Sequence, residues 1–180
     1  MTMRSHSSDN TSKTNIVLIG MPTSGKSSAG VILAKIMGMD FIDTDLLLQA
    51  KSGKKLHEIM EEDGLDSFLK QEEEVCLLLD RRNSVIATGG SAVYGEKGME
   101  HLKETGIVVY LEIDPDTLEK RLHNAKQRGV VLREGQTIRD LYEERKGLYQ
   151  KYADITVSEA GLDMEQTVDG IRKGVAVLLC

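Results

Sequence analysis

Eight consecutive residues, Gly20-Met-Pro-Thr-Ser-Gly25-Lys26-Ser27, match the pattern G-x-x-x-x-G-K-[ST] at every fixed position. Each fixed residue has a chemical reason to be there. Glycines let the backbone curl until successive N–H groups face phosphate oxygens at the positive start of a helix. In such a loop Gly20, Thr23, Ser24, Gly25 and Ser28 are expected around a polyphosphate, with the Lys26 ammonium on its terminal groups and the Ser27 hydroxyl as a ligand for Mg²⁺. The alternative, a chance match at a helix start, is opposed by the flanking sequence, which reads as strand before and helix after.

A second pair of candidates lies at Asp43-Thr-Asp45, directly after the short apolar run Phe41-Ile42. A parallel strand delivers side chains at its carboxyl end to the ligand crevice, so these acids are placed for catalysis or metal binding. They also suit a helix N-cap, and both roles can hold at once. A guanine-reading N-K-x-D motif is missing from the sequence, which favours ATP over GTP as the nucleotide.

The elements that must position these groups can be read from periodicity. Asn15–Ile19 is a branched apolar run of the length of a buried strand, and Lys26 to about Met37 repeats apolar residues at Ala29, Ile32, Leu33 and Ile36, with Gly38 as its stop. Further strands are predicted at Ser84–Thr88, Ile107–Leu111 and Asp154–Val157, and further helices at Leu46–Lys51, Leu56–Glu62, Leu65–Asp80, from Asp114-Pro115, at Ile138–Tyr152 and at Met164–Leu179. Short buried strands alternating with helices imply an α/β fold: a parallel sheet covered on both faces, with right-handed crossovers. Residues 124–136, with Lys126, Arg128 and Arg133, match no regular element and read as a mobile lid.

The 180 residues suffice for one domain, predicted over 15–180, behind a polar Ser/Thr-rich tail at 1–14 that reads as disordered. A net charge of −6 opposes non-specific nucleic-acid binding, and with no Trp, two Phe and five Tyr nothing suggests a base-stacking surface. No 18-residue apolar run is present, so no membrane span is expected. Cys76 and Cys180 form no C-x-x-C pair, which fits a reducing, cytoplasmic setting, and a monomer is expected. The acidic triplet Glu72-Glu-Glu74 reads most simply as a solvated helix face.

Taken together, the loop at Gly20–Ser27, Phe41-Ile-Asp43-Thr-Asp45, the Ala87-Thr-Gly89-Gly90 turn, the Arg128 segment and Arg145-Lys-Gly-Leu-Tyr149 resemble the shikimate kinases in order and spacing, over about Asn15 to Val157. The resemblance implies a five-stranded parallel sheet like that of nucleoside monophosphate kinases, and transfer of the γ-phosphate of ATP to the 3-hydroxyl of shikimate. It also implies roles. Asp43 matches an acid that holds Mg²⁺ through water, and Asp45 the residue that orients the acceptor hydroxyl. Lys26 and Arg128 match the groups on the transferred phosphate, and Arg121 a residue near the adenine. Phe68, Gly89, Gly90 and Arg145 match the acceptor site, Arg145 as the partner of the acceptor carboxylate, where a planar fork suits two oxygens.

Departures from the family fall in the acceptor half. The family pattern G-E-x-x-F-R reads Gly64-Leu65-Asp66-Ser67-Phe68-Leu69, so the second carboxylate-binding arginine is replaced by Leu69. The third glycine of the glycine turn is Ser91, and Glu72 matches an acid that pairs the missing arginine in the family. Loss of one charge-assisted partner costs about 1.5–3 kcal/mol of acceptor binding. The sequence therefore leaves open a kinase for another small polyol or hydroxy acid, and, as a different class, an ATP-binding module without catalysis.

Overall fold

A computed structural model describes residues 13–122, 130 and 132–178. Much of the predicted lid, including Arg128, and nearly all of the predicted tail lie outside the described residues.

Five parallel strands form one sheet in the order β2-β3-β1-β4-β5, with β1 at Asn15–Ile19, β2 at Asp40–Asp43, β3 at Ser84–Ala87, β4 at Gly106–Glu112 and β5 at Ile155–Ser158. β1 is central: Val17 pairs Ile86 on one side and Val108 on the other. Strands covered on both faces need apolar residues at every position, which is why Asn15–Ile19 reads as a continuous run. Alternate residues go to opposite faces. Val17, Ile19, Ile86, Val108 and Tyr110 join one core, while Ile16, Leu18, Val85, Ile107, Val109 and Leu111 join the other.

Helices α1 (Lys26–Met37), α2 (Thr44–Ser52), α3 (Leu56–Asp63), α4 (Leu65–Leu77), α5 (Glu96–Thr105), α6 (Pro115–Arg121), α7 (Ile138–Tyr152) and α8 (Met164–Leu178) connect and cover the strands. The boundaries of α1 and α7 are those expected from sequence. The buried face of α1 is only half as expected: Ala29 and Leu33 are buried, but Ile32 and Ile36 are 40% and 59% exposed, and Gly30 and Ala34 are buried in their place. Small residues let the helix lie close on the sheet: a Cβ at Gly30 would sit 2.7 Å from the ring of Phe41.

α5 was not foreseen. Its buried residues are Gly98, Met99 and Leu102, a narrow apolar stripe on a helix that is otherwise polar. α4 ends at Leu77, three residues before the expected limit. A third, smaller core of Leu48, Ile59, Phe68 and Val75 lies between α2, α3 and α4, and Leu56, Met60, Leu65 and Leu69 pack against it.

Candidate active site

The two acids and the phosphate loop meet because β1 and β2 end on the same edge of the sheet. The loop leaves β1 at Gly20, whose φ of 148° and close approach to the Leu111 carbonyl leave no room for a side chain. Thr23 (φ 66°) and Gly25 (φ 71°) complete the curl into α1. Within it, Lys26 is buried and its ammonium donates to the carbonyls of Gly20 and Met21, both at 2.8 Å, and lies 3.4 Å from the Ser24 hydroxyl. Burial draws its pKa down to about 8, against the pull of the Asp45 carboxylate in the other direction.

β2 delivers the acids. Asp43 Oδ1 caps α2 by accepting from the backbone of Asp45 (3.0 Å) and Leu46 (3.3 Å), and its Oδ2 accepts from the Ser27 hydroxyl at 2.7 Å. The capping and functional placements of Asp43 therefore coincide. Asp45, on the first turn of α2, shares one cleft of about 420 Å³ with Thr23, Gly25, Lys26, Ser27 and Ser28. Burial first, and then the neighbouring Asp43 charge, pushes its pKa up to about 6, with Lys26 acting against them.

The other end of the cleft is built by α3, α4 and the turn after β3, which contribute Leu56, Phe68, Glu72, Thr88, Gly90 and Ser91. Gly89 backs this wall: its N–H donates to the Thr44 hydroxyl at 3.0 Å, and a Cβ there would run into Glu72 Oε1 and Asp45 Oδ1. Tyr149, stacked on Tyr110 at 5.0 Å, donates to the Gly90 carbonyl at 2.7 Å and fixes the turn from behind.

Two expected arginines lie off the cleft wall. Arg145 is 1% exposed on α7, with its Nε donating to the Tyr94 hydroxyl at 3.2 Å and its guanidinium 5.1 Å over that ring. It remains within electrostatic reach of Glu72 and Lys26. Arg121, at the end of α6, donates to the Thr23 carbonyl at 2.9 Å and to Glu159 at 3.0 Å, so it braces the outer rim of the phosphate loop.

The expectation for the acidic triplet needs correction. Glu72 is 2% exposed and lines the cleft; its Oε2 accepts from the Ser91 hydroxyl at 2.5 Å. Burial lifts its pKa to about 7, with the Ser91 bond opposing the rise. A usable signal was in the sequence: Phe68, Glu72, Val75 and Cys76 recur at helical spacing on the buried face of α4, and a charge inside an apolar stripe is unlikely to be solvated. Pro22, Leu56 and Thr88 were also missed, being ordinary residues that enter the site only through the fold.

A nucleotide and Mg²⁺ fit these residues. The curled loop opens on the cleft, the buried Thr23 Oγ1 has no hydrogen-bond partner among the described residues, and Ser27 and Asp43 bring two hard oxygen donors together.

Comparison with known proteins agrees with this geometry. The family described as shikimate kinase matches residues 22–176. A shikimate kinase of Thiobacillus denitrificans is 35% identical over 163 residues, covering 88% of this chain and 86% of its own. One of Pasteurella multocida is 36% identical, covering 81% and 85%. Among solved structures, shikimate kinase from Acinetobacter baumannii in complex with shikimate superposes with a TM-score of 0.80 at 31% identity, covering 94% of each chain.

Proposed function

Because this chain belongs to the shikimate kinase family, whose members move a phosphoryl group to a small alcohol, we propose that it transfers the γ-phosphate of ATP to the 3-hydroxyl of shikimate. The observation that carries this reading is that Lys26 and Asp45 line one cleft while Ser27 is bonded to Asp43 at its mouth.

Phosphoryl transfer asks a protein mainly for alignment and charge neutralisation. In this reading the backbone N–H groups of the loop and Lys26 bind the polyphosphate. Ser27 and Asp43 are the residues that would hold Mg²⁺, which neutralises phosphate charge when bound. Asp45 orients the acceptor hydroxyl and takes its proton late in the transfer. Gly89 and Gly90 let the acceptor lie close on bare backbone, Phe68 supplies an apolar wall, and Arg145 supplies the cationic field for the acceptor carboxylate. Arg121 holds the rim on the nucleotide side. The free, buried Cys76 is in keeping with a cytoplasmic setting.

Shikimate-dependent release of ADP tests this, with Lys26→Ala as control. ADP release that shikimate stimulates, and that the variant loses, is the expected result. No stimulation by shikimate would defeat the reading. A second acceptor class is favoured by one observation: Leu69 packs into the apolar core between α2, α3 and α4 and offers a carboxylate nothing. Stimulation by another polyol or hydroxy acid, and not by shikimate, would select that reading instead; silence across the whole panel would select the binding module.

A further inference from the structure

Glu72 is a buried carboxyl with no part in the reaction as described above. One of its oxygens takes the Ser91 hydroxyl, and the other, Oε1, is buried and has no hydrogen-bond partner among the described residues. Buried polar atoms without partners are rare, and an oxygen so placed holds a proton more readily than a charge.

Its surroundings are defined on every side. From α2, Asp45 converges with it on the empty side-chain position of Gly89. Lys26 from α1, and Arg145 and Tyr149 from α7, lie within electrostatic reach, as does Cys76 on its own helix. Phe68, which shares the cleft wall with it, and Val75 flank it on the buried face of α4. Lys26 is engaged in the phosphate loop, so among the described residues Arg145 is the cation at the acceptor end, and Leu69 adds none. An ionised Glu72 and an acceptor carboxylate therefore draw on one guanidinium, in a site where water screens little.

We infer that Glu72 determines acceptor specificity: protonated and held by Ser91, it leaves the field of Arg145 to an acceptor carboxylate, and ionised it cancels that field and turns such an acceptor away. The inference rests on the reading of the acceptor as shikimate, an alcohol that bears a carboxylate. Burial, which lifts this carboxyl to about 7 against the opposing Ser91 bond, places the change within an accessible pH range.

The test is to measure the KM for shikimate and, separately, for ATP from pH 6 to 9 in the wild type, Glu72→Gln and Ser91→Ala. The wild-type shikimate KM is expected to rise roughly tenfold between pH 7 and 8.5 as the protonated fraction falls. Glu72→Gln, permanently neutral, is expected to lose that rise between pH 7 and 8.5 while the pH course of its ATP KM stays that of the wild type. Ser91→Ala loses the bond that favours the charged form, so its rise begins at higher pH. A wild-type KM indifferent to pH, or a rise that persists in Glu72→Gln, overturns the inference. Should Glu72→Gln show no melting transition, Ser91→Ala decides, and an unmoved onset overturns it. A wild type that never phosphorylates shikimate defeats the proposed function and this inference with it; turnover with one of the overturning patterns defeats the inference alone.

Discussion

The Ser27 hydroxyl donates to Asp43 Oδ2 at 2.7 Å, tying the first turn of α1 to the end of β2 across the mouth of the cleft. Asp43 thereby carries two separable duties, because its other oxygen caps α2. Asp43→Asn keeps an oxygen for the cap and loses the charge, so its melting temperature should stay near that of the wild type while the Mg²⁺ concentration for half-maximal activity rises. Asp43→Ala loses the cap as well and should be less stable by about 1 kcal/mol. Thermal melting and a Mg²⁺ titration of both variants separate the two duties.

Lys26 is held by two carbonyls of its own loop rather than by an acid. Its ammonium is thus presented to the cleft without a competing salt bridge among the described contacts. Lys26→Ala should lower kcat/KM by at least about a hundredfold, the usual cost of removing one charge-stabilising donor. Circular dichroism should show the fold intact; activity within tenfold of the wild type would contradict the assignment.

Gly89 is the point where the acceptor wall has no spare volume. A methyl group there would meet Glu72 Oε1 and Asp45 Oδ1, so Gly89→Ala must displace the side chain proposed to aim the acceptor hydroxyl. The shikimate KM is expected to rise about tenfold or more, since small misplacements at a reacting centre are costly. Nucleotide affinity, measured by calorimetry, should change little.

Burial of Glu72 also sets a slope of stability with pH. Its pKa is raised from 4.5 to about 7 on folding, so between those values the folded state binds more protons than the unfolded chain, and stability falls as pH rises through that window. The contribution is about 3 kcal/mol over the full window, lost above it. Denaturant midpoints of the wild type and Glu72→Gln at pH 5 and pH 8 check the sign: the wild type should lose stability relative to the variant on going to pH 8.

Arg121 bonds the Thr23 carbonyl and Glu159 from an exposed position. Arg121 is 44% exposed but its partner Glu159 only 9%, so Arg121→Ala leaves a largely covered carboxylate without its cation and should cost about 1–3 kcal/mol of stability. The ATP KM is the sensitive readout, expected to rise several-fold as the loop rim loosens.

Reading the sequence went furthest where chemistry is local. The strand before Gly20 and the helix after Ser27 could be placed to the residue, because a buried parallel strand is a continuous apolar run and a phosphate loop has required residues at required intervals. Asp43 was legible for the same reason: a strand-end acid that can cap a helix leaves a signature within three residues. The face of α1 was read correctly at Ala29 and Leu33 and misjudged at Ile32 and Ile36, which satisfy the helical period, because the close approach to the sheet is decided by the small residues Gly30 and Ala34. α5 was passed over because it is mostly polar and buries only Gly98, Met99 and Leu102.

The acceptor end shows the limit most clearly. From residue order alone, Glu72 belongs to a run of three acids, Ser91 to a turn 19 residues on, and Arg145 to another helix. Only tertiary packing joins the first two through a 2.5 Å hydrogen bond and brings the third within electrostatic reach. The phosphate loop, the parallel sheet and the acids at its end were legible in residue order, because those depend on neighbours along the chain. Which carboxyl is buried, what it shares a cation with and which glycine has no room were decided by the folded structure, since burial and electrostatic reach are properties of distance in space.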